Sequence, residues 1–262
     1  MKISIYALLF VVVAACSTTK KETVISMPGA YNMLSQSFKG NVLDTTFTQL
    51  KQFKIYTADY MMYVRINPAD SIAGFGIGTY TIDTGRLVNN IMYRAADTAQ
   101  SLDAVSDTFN ITKTGKDYAL VMPQIRSDKG NISLNEEYES VGSDSTSPLD
   151  GVWKQVSGYT VTKKDTVHWA DVQYKAFYAG CFAFGNVYSA PGNKKHTGIS
   201  YGTFTMAGSR VKETITNSTW AALQGQSFEV DIAMNGTDAF TQTIIEKNGD
   251  KEVLQYQRLK KY

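Results

Sequence analysis

The side chains best suited to metal or thiol chemistry are few in this chain of 262 residues: two cysteines, Cys16 and Cys181, and two histidines, His168 and His196. Neither an HxxxH nor a CxxC arrangement occurs, so a transition-metal site would have to gather carboxylates from distant segments, and no metal or other cofactor is expected. Cys181 follows Tyr178-Ala179-Gly180 with no histidine near it in sequence, which favours a buried, inert thiol over a nucleophile. His168, beside Trp169, reads as a residue of a loop or a barrel mouth, and His196, after Lys194-Lys195 in a glycine-containing loop, as a solvated one. No catalytic constellation emerges from these groups.

Cys16 differs in its setting. It follows Lys2, the apolar run of residues 3–13 and the small pair Ala14-Ala15, which is the charged, apolar and small-residue order of an export signal. The run is shorter than the roughly 20 residues that a spanning helix requires. Val13-Ala14-Ala15-Cys16 resembles a bacterial lipobox, in which the cysteine is acylated and becomes the mature N-terminus. The resemblance implies a signal peptide over residues 1–15, lipid attachment at Cys16 and a polar tether over residues 16–26. Each buried CH₂ contributes about 0.8 kcal/mol, so two acyl chains give stable membrane residence where one binds reversibly. With no aspartate after Cys16, the segment is similar to those of lipoproteins sent to an outer membrane, and both the periplasmic and the cell-surface face stay open. An acylated Cys16 cannot pair with Cys181, so no internal disulfide is expected.

The composition provides a core but no charged recognition surface. Hydrophobic residues make up 43% of the chain and the formal net charge is +2. That balance, with no lysine and arginine run beyond pairs, argues against a nucleic-acid partner.

Internal repetition organises the rest. "PGAYNMLSQSF" from Pro28 matches "DGVWKQVSGYT" from Asp150, "FKIYTADYMMYVR" from Phe53 matches "YKAFYAGCFAFGN" from Tyr174, "GTYTIDTGRLV" from Gly78 matches "GTFTMAGSRV" from Gly202, and "FNIT" from Phe109 answers "FEVD" from Phe228. Four matches in order argue for a duplicated domain. The units are placed at residues 27–140 and 150–262, with the Ser, Gly, Asp and Pro-rich residues 141–149 as a linker. Alternation such as Val211, Glu213, Ile215 against Lys212, Thr214 is the period-2 pattern of strands with one face inward. "TIDTGR", "TMAGSR", "TKTGKD" and "EKNGDKE" supply hairpin turns. The expected fold is all-β, two tandem antiparallel up-and-down barrels, with residues 217–225 as a short helical exception.

Gly151-Val152-Trp153 at the start of the second unit and Arg258 near its end resemble the G-x-W motif and closing arginine of the lipocalin and wider calycin families. "WKQVSGY" with "GTFTM", "RVKETI" and the final "QYQRL" also resembles the small lipocalin-like domains common in Bacteroidota lipoproteins. The G-x-W resemblance implies that Trp153 closes one end of the barrel beneath Arg258 and is structural. The first unit departs from the pattern, with Tyr31 in the place of the tryptophan and no arginine near Glu137-Tyr138.

Glu213 shares parity with Val211 and Ile215, so an inward carboxylate would need a cation, Arg210 or Arg258, or would serve a ligand. Aromatic residues crowd both units, Tyr174, Phe177, Tyr178, Phe182, Phe184 and Tyr201 in the second and Phe53, Tyr56, Tyr60, Tyr63, Phe75 and Tyr80 in the first. Tyr178, Phe182, Phe184, Tyr201 and Glu213 are the expected ligand-binding residues. The function expected is that of an envelope lipoprotein binding a small apolar or amphipathic molecule. The alternative is an interaction module with packed barrels and an envelope protein as partner.

Overall fold

The structure, a computed structural model, describes residues 25–40, 43–67, 72–96, 99–101, 104–127, 130–169, 171–189 and 194–260. Residues 1–15, read as a signal peptide, and Cys16 lie outside the described residues. No helix among them is long and apolar enough to cross a membrane.

The first unit contains β1 (Gly29–Gly40), β2 (Leu43–Phe47), β3 (Lys51–Tyr56), β4 (Tyr60–Asn67), β5 (Ile72–Asp83), β6 (Arg86–Ala96), β7 (Ala99–Ser101), β8 (Val105–Thr114), β9 (Asp117–Ser127) and β10 (Gly130–Ser140). The second contains β11 (Gly151–Val161), β12 (Thr166–Trp169), β13 (Val172–Tyr178), β14 (Cys181–Ser189), β15 (Lys195–Ala207), β16 (Arg210–Ser218), β17 (Ser227–Met234), β18 (Ala239–Ile245) and β19 (Lys251–Arg258). Every pairing is antiparallel, and each meander closes on itself, β10 on β1 and β19 on β11. Short β2 and β3 share one edge of β1, as β12 and β13 share one edge of β11, so each pair acts as a single interrupted strand. Counted that way, with the short β7 an offshoot of β6, two closed eight-stranded barrels stand in tandem. Closure removes the unpaired edges that an open sheet would present.

Strand for strand, the two barrels follow the same plan. Tyr31 faces Lys54 across β1 and β3, and Trp153 faces Lys175 across β11 and β13. The register corrects one match: Leu87 pairs with Phe109 and Val211 pairs with Val230, so Phe109 corresponds to Val230 and not to Phe228. The two connections explain the slip, because the first unit inserts β7 between β6 and β8 where the second inserts a one-turn 3-10 helix, Ala221–Leu223. The counterpart of Arg258 is likewise Ser140, which faces Tyr31 as Arg258 faces Trp153, while Tyr138 corresponds to Tyr256.

Three apolar clusters hold the molecule. One fills the first barrel around Tyr31, Tyr56, Tyr118 and Tyr138, and another lies inside the second around Trp153, Phe177, Phe204 and Phe240. The third joins the barrels side by side through outward-facing residues of both, including Phe53, Ile55, Phe75 and Tyr93 against Tyr174, Cys181, Ile199 and Tyr201. Phe53 stacks on Tyr201 with centroids 4.7 Å apart, an arrangement that adds about 0.5 to 1.5 kcal/mol beyond area burial. The aromatic surplus of the sequence therefore serves two faces: Phe53, Tyr60, Phe75, Tyr174, Tyr178 and Tyr201 pack between barrels, whereas Tyr56, Tyr63, Tyr80, Phe177, Phe182 and Phe184 face the lumens.

Candidate functional site

One end of each barrel is shut by a ring from the third residue of its first strand. Trp153 is fully buried and its Nε1 donates to the Leu149 carbonyl at 2.7 Å; Tyr31 does the same through its hydroxyl, to the Met27 carbonyl at 3.0 Å. Among the described residues, only the second barrel covers its closing ring with a cation. The Arg258 guanidinium lies 4.1 Å from the Trp153 ring centroid and donates to the carbonyls of Pro148, Asp150 and Thr237. Gly151 sits beneath it at φ +149, a conformation that favours glycine, and a Cβ there would meet the guanidinium at 2.1 Å. Arg258 thus ties together the segment before β11 and the β17–β18 turn.

Further along the lumen, Glu213 is buried, as its parity implied, but its cation is Lys175, at 2.9 Å. Neither arginine named from the sequence reaches it. Arg210 lies outside the barrel against Glu229 at 3.4 Å and Asp231 at 3.6 Å, and Arg258 is committed to the closed end. Lys175 also donates to Gln242 at 2.8 Å, and Gln173 donates to the Tyr256 hydroxyl. A lysine flanked by aromatics in "YKAFY" was as informative as Glu213, since alternation puts Gln173, Lys175 and Phe177 on the same face.

Above this ionic floor the second barrel opens into a cavity of about 660 Å³. Phe182, Phe184 and Glu213, expected from the sequence, line it. Tyr178 and Tyr201 do not: Tyr201 packs in the interface between barrels with its hydroxyl accepting from Asn217 at 2.7 Å, and Tyr178 borders a separate cleft near the linker. Their strands are buried on both faces, so aromatic identity could not tell inside from outside. Sequence reading missed Trp169, Trp220, Phe228 and the carboxylates Asp171, Glu246 and Glu252 in the wall. Trp220 enters beside the 3-10 turn and lies over Gly198, where a Cβ would meet the ring at 2.1 Å. A sequence signal for it existed in "NSTWAALQG", the one interruption of strand periodicity.

The remaining singled-out groups lie apart from the cavity. Cys181 is buried between the barrels against the Val141 carbonyl, and burial pushes its thiol up to about 11, which keeps the reactive thiolate scarce. His168 is exposed on β12, tilted toward Tyr159. His196 belongs to β15 and not to a loop, with its ring stacked on Tyr188 at 5.9 Å.

Protein-family models and curated proteins give no match to this chain. Among solved structures, a DUF3598-family protein of unknown function from Nostoc punctiforme aligns over 88% of this chain and 96% of its own, at 10% identity and a TM-score of 0.25. Such a likeness carries no functional argument.

Proposed function

We propose that the protein is a lipid-anchored envelope protein, held to an outer membrane through Cys16, that binds a small amphipathic molecule in its second barrel. The lipobox-like segment supports the anchor. The observation that carries the binding role is the cavity of about 660 Å³, which falls in the 300–1,000 Å³ range of small-molecule sites and combines apolar walls with a few placed polar groups. Trp169, Phe184, Trp220 and Phe228 would receive the apolar part of a ligand, and Gln242, Asn186 and the wall carboxylates its polar part.

The test uses N-phenyl-1-naphthylamine, a neutral probe whose emission rises in apolar surroundings. Saturable enhancement in the wild type, lost when Ile244→Trp fills the cavity wall, is the expected outcome. No enhancement, or equal enhancement in an Ile244→Trp variant that retains its near-UV circular dichroism, would remove the cavity as a binding site.

A further inference from the structure

The wall of this cavity has a sign. Asp171, Glu213, Glu246 and Glu252 line it against one cation, Lys175, which Glu213 and Gln242 already hold. The other three carboxylates have no ion-pair partner among the described residues. They occupy one arc: Asp171 just before β13, Glu252 on β19 facing Ile244, and Glu246 just past β18, on strands consecutive around the barrel through β11. Burial holds Glu252 above its ordinary carboxylate range, with Glu246 adding to the effect, Lys175 opposing it and Asp171 adding again; burial alone does the same to Asp171.

The opposite arc is aromatic, with Phe184 from β14, Trp220 beside the 3-10 turn and Phe228 from β17. Ring faces attract cations through their quadrupole. Next to Trp220, the buried Asn186 leaves its Oδ1 acceptor without a partner in the same wall. Glu246 stands exposed at the mouth and Asp171 and Glu252 are half-buried, so the arc of negative charge runs in from the rim, and with the Asn186 acceptor it favours positive charge and donor hydrogens. Among the described residues no three acidic, histidine or cysteine groups are close enough together to hold a metal ion. The demand is for a cation spread over a larger body.

Resting on the assignment of the cavity as a binding site, we propose that the second barrel takes an organic cation, with its ammonium among Asp171, Glu246 and Glu252 and its apolar body against Phe184, Trp220 and Phe228. An anionic amphiphile of the same shape would meet three uncompensated carboxylates. The experiment is calorimetric titration of the full chain, below micellar concentrations, with three ligands of one chain length: decyltrimethylammonium, decanol and decyl sulfate. The expected result is that decyltrimethylammonium binds about tenfold or more tighter than decanol, equivalent to about 1.4 kcal/mol, with decyl sulfate weakest. The Asp171→Asn, Glu246→Gln, Glu252→Gln triple variant should bring the cation level with decanol. Equal binding of all three ligands, or a preference that survives the triple variant, would overturn the cationic class while leaving the cavity as a site. No binding by any of them would overturn the underlying binding role as well.

Discussion

Lys54 and Lys175 stand at matching places in the two barrels, each facing the ring that closes its barrel, but their acids come from different strands. In the first barrel Lys54 meets Glu136 of β10 at 3.0 Å, and Gln36 donates to the other oxygen of that carboxylate at 2.9 Å. In the second, the place of Glu136 is Leu254, the place of Gln36 is Gly158, and the acid is Glu213, where the first barrel has Asn89. The first arrangement ties the pair into a buried network: Tyr138 donates to Glu136 at 2.8 Å and lies 4.4 Å from the Lys54 nitrogen. The second supplies the acid from β16 instead: Leu254, in the place of Glu136, lines the cavity, and beside Gly158, in the place of Gln36, the Trp169 ring of the cavity wall stands 2.8 Å from where a Cβ would lie. One buried cation is thus compatible with a packed polar core or with a floor beneath a cavity, depending on which strand supplies its partner.

The largest effects should come from the closed ends, where the barrels are most alike. Trp153→Ala and Tyr31→Ala should each lower stability by about 3 to 5 kcal/mol as core truncations, read by denaturant unfolding. Arg258→Ala should cost less, and its combination with Trp153→Ala should fall short of the sum because the groups touch. Tyr31→Ala with Ser140→Ala should simply add. Coupling at both ends would erase the distinction between a cation-covered and a bare plug.

The lysines should separate the barrels further. Lys54→Met leaves Glu136 buried without its cation and should cost about 3 kcal/mol or more. Lys175→Met should cost under about 2 kcal/mol, because water entering the cavity can solvate Glu213. Equal losses in chemical denaturation would mean that the cavity floor is as dry as the first core.

The smallest contrast is in acid. Burial alone would raise Glu136, but Lys54, with the hydrogen bonds of Tyr138 and Gln36, holds its carboxyl below the ordinary value. A depressed folded value contributes stability above the unfolded value and loses it as pH falls through the folded one. Glu136→Gln should therefore flatten the acid side of the stability profile below the ordinary carboxylate range. An unchanged profile would place the acid sensitivity elsewhere.

Much of the fold could be read from the sequence because period-2 alternation and glycine turns are local signals. Trp153, Gly151 and Arg258 could be picked out as a group through their resemblance to the G-x-W motif and closing arginine of the lipocalin family. The cavity was less legible. Tyr201 and Phe182 look alike in sequence, yet the first packs against Phe53 of the other barrel and the second faces inward. Which parity faces the lumen depends on register, and the bulges between Met33 and Ser35 and between Gln155 and Ser157 shift it within β1 and β11. The partner of Glu213 was missed because it is 38 residues away and belongs to a strand read only for its aromatics.

The different placing of the two acids also limits how one barrel's plan can be converted into the other's. A buried lysine deprived of its carboxylate destabilises a small barrel by several kcal/mol, a large share of what keeps such a domain folded. Routes that delete the old acid before acquiring the new one pass through poorly folded descendants. The accessible route runs through an intermediate carrying acids at both places, a barrel with one lysine and two carboxylates. Such a molecule would already hold spare negative charge inside, and a cation from solution would be the simplest remedy for it.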